Sequence, residues 1–220
     1  MHPITRRNKS GLREYKGVII YADGSFFEGH FSSGKFSGTG RMISLDLGIY
    51  EGEYRDGMRH GKGRFTTASR ESYEGDWVDG KEEGFGIFVH ENGDKYEGTF
   101  IGGVMQGKGK YIWTNGEIYT GDFVNGKPEG KGKMAYLTHK VYEGDWKDGK
   151  ECGKGVIKYP NGGIYEGDIL DGKKHGTGYY IWYLLSHYQL GRIRSLITDR
   201  GWKTCRMGKV YSRTRRKRFS

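Results

Sequence analysis

Tyr142-Glu143-Gly144-Asp145-Trp146-Lys147-Asp148-Gly149-Lys150 decides the fold, and the residues that follow it to Ile164 complete one unit. Tyr142, Gly144 and Trp146 alternate with Glu143, Asp145 and Lys147, so one face is aromatic and the other charged, as in a half-buried strand. Asp148-Gly149 supplies the positive φ that a two-residue hairpin turn demands. Gly153-Lys154-Gly155-Val156-Ile157-Lys158-Tyr159 reads as the return strand, with Gly155, Ile157 and Tyr159 on one face. Pro160-Asn161-Gly162 then turns the chain towards the next unit. Mid-strand glycines are costly by themselves. Here they leave bare backbone over which neighbouring rings can lie flat.

The same unit recurs on both sides. Phe27, Tyr50, Tyr73, Tyr96, Tyr119, Tyr142 and Tyr165 stand 23 residues apart without a slip. With each of these as position 1, glycine fills position 3 (Gly29, Gly52, Gly75, Gly98, Gly121, Gly144, Gly167) and position 8 (Gly34, Gly57, Gly80, Gly103, Gly126, Gly149, Gly172). It also fills positions 12 and 14, as in Gly61/Gly63, Gly130/Gly132 and Gly153/Gly155. A half-copy precedes them, with Gly11 and Gly17 in register and Tyr21-Ala22-Asp23-Gly24 as its closing turn. A fixed period of this length marks a repeat array in which each hairpin packs on its neighbours.

The pattern Tyr-Glu-Gly-Asp-Trp-x-Asp-Gly-Lys-x-x-Gly-x-Gly, followed closely by residues 142–155, resembles the MORN repeat, and the resemblance covers about residues 4–182. It departs locally, where Phe27 replaces the leading Tyr, Thr120 the Glu and Ile169 an aromatic. The closing turns around Leu47, Arg70 and His139 lack the glycine found at Gly93, Gly116 and Gly162, which predicts longer, bulged or differently built turns. The fold expected is all-β, an elongated single-layer antiparallel sheet of tandem hairpins, twisted and curved into a trough with one aromatic face. A basic segment or cap occupies 1–16, the array 17–182, a cap 183–202 and a basic disordered tail 203–220. Leu185, Tyr188, Gln189, Ile193, Leu196 and Ile197 fall at helical spacing, with Ser186 as a cap and Gly201 as a stop, so a short capping helix is expected over 186–199.

Composition fits many tight turns joined by aromatic strands: 40 glycines, 3 prolines and 15% aromatics, against only 34% hydrophobic residues. Disordered chains are poor in aromatics. The net charge of +10 is a local property. Residues 192–220 hold eleven Lys/Arg against the single acid Asp199, whereas 17–191 hold 21 basic and 25 acidic residues. Cys152 and Cys205 form neither a disulfide framework nor a metal-ligand spacing, which points to a reducing compartment. The N-terminus lacks an apolar run of signal-peptide length.

Several chemical lookalikes dissolve into the period. Gly144–Lys150 and Gly121–Lys127 have the glycine and lysine spacing of a phosphate loop, but Glu151 and Pro128 stand where Ser or Thr should reach Mg²⁺, and no helix follows. Glu51/Glu53, Glu74/Asp76, Glu143/Asp145 and Glu166/Asp168 place two acids on one strand face. A catalytic pair is singular, however, and this one recurs, so Lys62, Lys108, Lys131 and Lys154 on the return strands are expected to answer it as a solvated charge ladder. Histidines 2, 30, 60, 90, 139, 175 and 187 form no cluster, and no nucleophile or base stands out. No cofactor or metal is expected, and the chain reads as a non-enzyme.

Two features carry functional content. Phe31, Tyr54, Trp77, Phe100, Phe123 and Trp146 recur at position 5, and in a single-layer sheet they would floor a groove for a partner helix or extended peptide. The end Arg213-Thr214-Arg215-Arg216-Lys217-Arg218 reads as a solvated end, a nuclear signal, or a contact for anionic lipid or another acidic surface. Nucleic acid is disfavoured, because the aromatics lie in the neutral-to-acidic array. The resemblance implies a cytoplasmic scaffold or adaptor associated with the cytoskeleton or a cilium or flagellum. The alternative is a peripheral module on the inner face of the plasma membrane, held by its basic ends. Homodimers or larger assemblies are compatible with either reading.

Overall fold

The structure is a computed structural model and describes residues 6–7, 13–186, 189–198 and 201–202. It falls into two compact units, Met1–Lys127 and Pro128–Ser220. The first contains β1 (Arg6–Arg7), β2 (Arg13–Ile20), β3 (Phe26–Ser32), β4 (Lys35–Ser44), β5 (Gly48–Arg55), β6 (Met58–Thr66), β7 (Ser72–Val78), β8 (Lys81–Val89), β9 (Lys95–Ile101), β10 (Val104–Ile112) and β11 (Ile118–Val124). The second contains β12 (Lys127–Ala135, its first residue closing the first unit), β13 (Val141–Lys147), β14 (Lys150–Lys158), β15 (Ile164–Leu170), β16 (Lys173–Ser186), β17 (Gln189–Thr198) and β18 (Gly201–Trp202). Within each unit every strand pairs antiparallel with the next in sequence, and there is no helix among the described residues.

The hairpins follow from the turn residues. Position 7 is left-handed at Asp56, Asp79, Asn125, Asp148 and Asp171, with φ from 47° to 52°, and position 8 is a glycine with φ from 73° to 87°. Two successive positive φ values match the right-handed twist of the flanking strands. Each turn is also tied to the preceding hairpin. Gly80 N–H donates to the Arg59 carbonyl (2.9 Å), Gly103 to Glu82 (2.9 Å) and Gly172 to Glu151 (3.0 Å). At position 12, glycines such as Gly61 (φ 63°), Gly84 (φ 63°) and Gly153 (φ 60°) form a bulge. The register shifts there, between Gly75/Asp76 and Gly144/Asp145 for example.

The core is the aromatic face. Tyr50, Tyr96, Tyr119 and Tyr142 are 0% exposed, and the Tyr50, Tyr96 and Tyr142 rings each lie on the paired glycines of positions 3 and 14. The Tyr96 hydroxyl donates to the Thr99 carbonyl (3.1 Å), as Tyr73 does to Asp76 (2.9 Å) and Tyr142 to Asp145 (2.7 Å). Burial raises the Tyr50 and Tyr96 hydroxyls to about 12. The position 5 ring is wedged edge-on between two leading rings. Trp77 meets Tyr50 and Tyr73 at 5.2 Å each, and Phe100 meets Tyr73 at 5.0 Å and Tyr96 at 5.1 Å. Such edge contacts are worth about 0.5–1.5 kcal/mol each beyond burial.

Three expectations are corrected. Where a capping helix was expected over 186–199, Gln189–Thr198 is strand β17, paired with β16 from Ser186↔Gln189 to Gly178↔Ile197. The spacing of Ile193, Leu196 and Ile197 suits a helix. But Gly191 weakens a helix, the β-branched Ile193, Ile197 and Thr198 favour extended backbone, and pairing covers the open edge of β16. Positions 187, 188 and 199 lie outside the described residues, as does the tail 203–220. The turns at Arg70 and His139 are neither longer nor bulged. Arg70 (φ 71°) and His139 (φ 61°) take the left-handed conformation themselves. They donate to Thr67 and Tyr136 just as Gly93 donates to His90. The network imposes a backbone that costs a non-glycine residue about 1–2 kcal/mol. Only the turn near Leu47 is differently built, a three-residue loop closed by Ser44↔Gly48 with Gly48 at φ 112°. At the N-terminus, β2 is the expected half-copy, with Gly17 opposite Gly29, and β1 pairs Arg6↔Glu14 and Arg7↔Arg13.

Candidate functional site

On the charged face the anticipated ladder is present. Lys62 lies opposite Asp76 at 2.6 Å and Lys108 opposite Asp122 at 2.6 Å, and Lys131–Asp145 and Lys154–Asp168 repeat the pairing. The acids have a second task, since Asp145 and Asp168 also accept backbone N–H groups from Lys154 and Thr177 beyond the bulge (2.8 Å each). These lysine and backbone bonds hold both carboxyls below the usual range. The acids are therefore engaged as bulge clamps. Gly144–Lys150 and Gly121–Lys127 are strand–turn–strand, as the period requires. Burial and the Asp145 carboxylate push the Cys152 thiol up, the reverse of nucleophile activation. Cys205 and residues 213–218 lie outside the described residues. Among the described residues, no three His, Cys, Asp or Glu side chains are grouped to hold a metal ion.

On the aromatic face, the structure places the position 5 rings deep. Phe31, Trp77, Phe100 and Phe123 are 2–3% exposed, and Tyr54 and Trp146 are 7% exposed. They form a floor beneath other side chains. What this face leaves partly exposed is a second aromatic series, at positions 16 and 18 of the repeat. In the first unit Phe88, His90, Tyr111 and Trp113 run as a chain of ring contacts at 4.7, 5.8 and 4.7 Å. In the second, Tyr159 and Trp182 flank the buried Tyr180 (8% exposed) at 5.7 and 4.4 Å. Phe88 lies directly opposite Tyr73 and Tyr96, which fixes the face. The 23-residue recurrence of Phe65, Phe88 and Tyr111, and of Trp113, Tyr136 and Tyr159, was the signal in the sequence.

Charged residues at position 10 share this face. Arg59 sits over the rings of Tyr50 (5.0 Å), Phe65 (4.1 Å) and Trp77 (5.2 Å). Glu82 follows one repeat later, its carboxyl raised by burial to about 7 although Arg59 opposes the shift. Glu151, buried opposite Trp146, accepts a hydrogen bond from the Tyr136 hydroxyl and has Lys140 Nζ 3.9 Å away. Lys140 and Lys174 lie over Tyr136 (3.9 Å) and Tyr180 (4.6 Å). These rings thus already receive cations from their own chain. Beside the belt, Glu71, His90, Glu91, Asn92 and Tyr111 line a notch of about 340 Å³.

Stacked antiparallel hairpins with a buried ring chain and a partly exposed ring belt define an all-β tandem-repeat module. The MORN repeat model matches residues 27–46, 50–70, 73–95, 96–118, 119–136, 142–164 and 165–183, together more than half of the 220-residue chain. The chain belongs to the MORN repeat family. No curated protein sequence matches it. Among solved structures, the SAS-4 (dCPAP) TCP domain in complex with a proline-rich motif of Ana2 (dSTIL) of Drosophila melanogaster is similar over 87% of this chain and 88% of that one. Identity is 12% and the TM-score 0.39, and so loose a likeness says nothing about a ligand here.

Proposed function

We propose that this protein is a non-enzymatic scaffold that captures a protein segment on its aromatic face, in association with the cytoskeleton or a cilium. One observation carries the reading. Within each unit, no second layer of the described chain covers the aromatic belt, although the rings beneath it are fully packed. Aromatic side chains held on a rigid floor are the usual anchors of protein interfaces, because they bring contact area at little cost in conformational freedom. A repeat array suits this task, since it presents the same anchors at regular intervals along an extended surface.

Affinity capture tests the proposal. The parent chain should retain partners that are lost on Trp113→Ala with Tyr159→Ala, and kept on Phe85→Ser, which alters the charged face. Loss should exceed what any fall in melting temperature explains. An identical set of retained proteins from all three chains refutes the proposal, and enrichment of cytoskeletal components tests the association.

A further inference from the structure

We infer that the belt of the first unit is a docking site for a basic, proline-rich segment in the polyproline II conformation, an inference that rests on the scaffold reading above. Three observations select this occupant. The first is charge. Glu71 and Glu91 line the notch beside the belt, and neither has an ion pair among the described residues. The neighbouring acids are engaged, Asp94 by Thr114 N–H at 2.8 Å and Glu97 by Lys95 at 2.6 Å. Two unanswered carboxylates next to aromatic rings fit an arginine or lysine of the partner.

The second is spacing. Phe88 and Tyr111 occupy the same position of consecutive repeats, two strands apart, hence about 9.6 Å at ordinary strand separation. A polyproline II helix repeats every three residues, about 9.3 Å along its axis, so prolines one turn apart meet successive rings. The third is hydrogen bonding. The partly exposed Trp113 offers an indole N–H that no described group accepts. A polyproline II backbone has no internal hydrogen bonds and brings free carbonyls to such a donor, whereas an α-helix has already used its own. The belt presents rings rather than an unpaired sheet edge, so a β-strand gains no ladder by docking there.

Fluorescence anisotropy with the full chain tests this, using a labelled Pro-Pro-Arg repeat peptide, the same peptide with glutamate for arginine, an alanine-rich helical peptide of equal positive charge, and a peptide of residues 203–220. The Pro-Pro-Arg peptide should bind saturably below about 1 mM, and the other three about tenfold or more weakly. Glu71→Gln with Glu91→Gln should weaken that binding about tenfold at unchanged melting temperature. Trp113→Phe, which keeps a ring and removes the donor, should weaken it several-fold. Binding unaffected by these variants overturns the inference, and so does absence of binding. Equal or tighter binding of the helical peptide, dependent on Trp113, overturns it while leaving the scaffold reading intact. Preferential binding of residues 203–220 shows that the occupant is the chain's own basic end and likewise overturns it. Failure of the scaffold reading itself shows separately, as unchanged protein capture by the belt variants.

Discussion

Gly109 lies on β10 under the Tyr96 ring, and Gly109→Ala asks what the glycine row is for. A Cβ built there falls 2.5 Å from Tyr96 Cε2, 2.5 Å from its hydroxyl oxygen and 2.6 Å from Cζ. Ordinary carbon contacts lie near about 3.5–4.0 Å, so the ring has to rise by about 1 Å. Tyr96 is 0% exposed and has little free space to enter. The move strains its hydrogen bond to the Thr99 carbonyl, at 3.1 Å, and its edge contacts with Phe100 and Phe123, at 5.1 and 4.9 Å. Overpacking at about 1–3 kcal/mol, a hydrogen bond at about 1 kcal/mol and weakened ring contacts sum to about 3–5 kcal/mol. At 2–4 °C per kcal/mol for a chain of this size, the melting midpoint should fall by about 6–20 °C. Gly116→Ala is the control. That glycine has φ 91° and no atom within 4 Å of an added Cβ, so only the backbone cost of about 1–2 kcal/mol remains. Calorimetry gives the midpoints, and hydrogen exchange over β9–β11 localises the loss. Tyr96→Leu in the Gly109→Ala background should restore part of it, a coupling of about 1 kcal/mol or more. If Gly109→Ala costs no more than Gly116→Ala, or if the two substitutions simply add, the ring-on-glycine account fails.

Other outcomes follow from the same geometry. Glu82 has a folded value of about 7 against an ordinary 4.5, so the folded state holds its proton more tightly and stability falls as pH rises from 4.5 through about 7. Glu82→Gln should flatten that slope, read as urea midpoints at about pH 5 and pH 8, and an unchanged slope refutes the assignment. His139→Gly should raise the melting temperature by about 2–8 °C, because the left-handed φ of 61° then falls on a residue that accepts it. A decrease would mean the imidazole contributes more than the strain costs. Lys62→Ala should cost less than about 1 kcal/mol, since the Lys62–Asp76 pair lies on the exposed charged face, and added salt should shrink that cost further. A loss of several kcal/mol would show that the ladder stabilises the sheet directly.

Much of this was legible in the sequence, because two short-range rules govern most of the chain. Alternation assigns each side chain to a face, and the glycine at position 8, most often preceded by Asp, places each hairpin turn, so the pairing of Lys62 with Asp76 and the burial of Tyr142 follow from arithmetic. The misreadings occur where those rules leave a choice. At Arg70 and His139 the local residues disfavour the turn, and hydrogen bonds set by the neighbouring strands impose it. Over 189–198 the apolar spacing suits a helix and a strand alike, and the available edge of β16 decides. The candidate site was hardest to place. Positions 1, 5, 16 and 18 all face the same way, and alternation cannot say which rings lie beneath and which on top. That depth is set by the position 12 bulge and by the wedging of Trp77 between Tyr50 and Tyr73, both of them properties of adjoining hairpins together.

That wedge has a consequence for how such a chain can change length. Trp77 takes one wall of its socket from the hairpin of Tyr50 and the other from its own, so no hairpin owns a complete core. Removing half a unit leaves a ring without a wall, and adding one residue inside a strand without a bulge sends the later rings of that strand to the charged side. Viable length variants should therefore differ by whole multiples of 23 residues, while growth within a repeat is confined to the closing turns, where the loop near Leu47 already departs from the standard form.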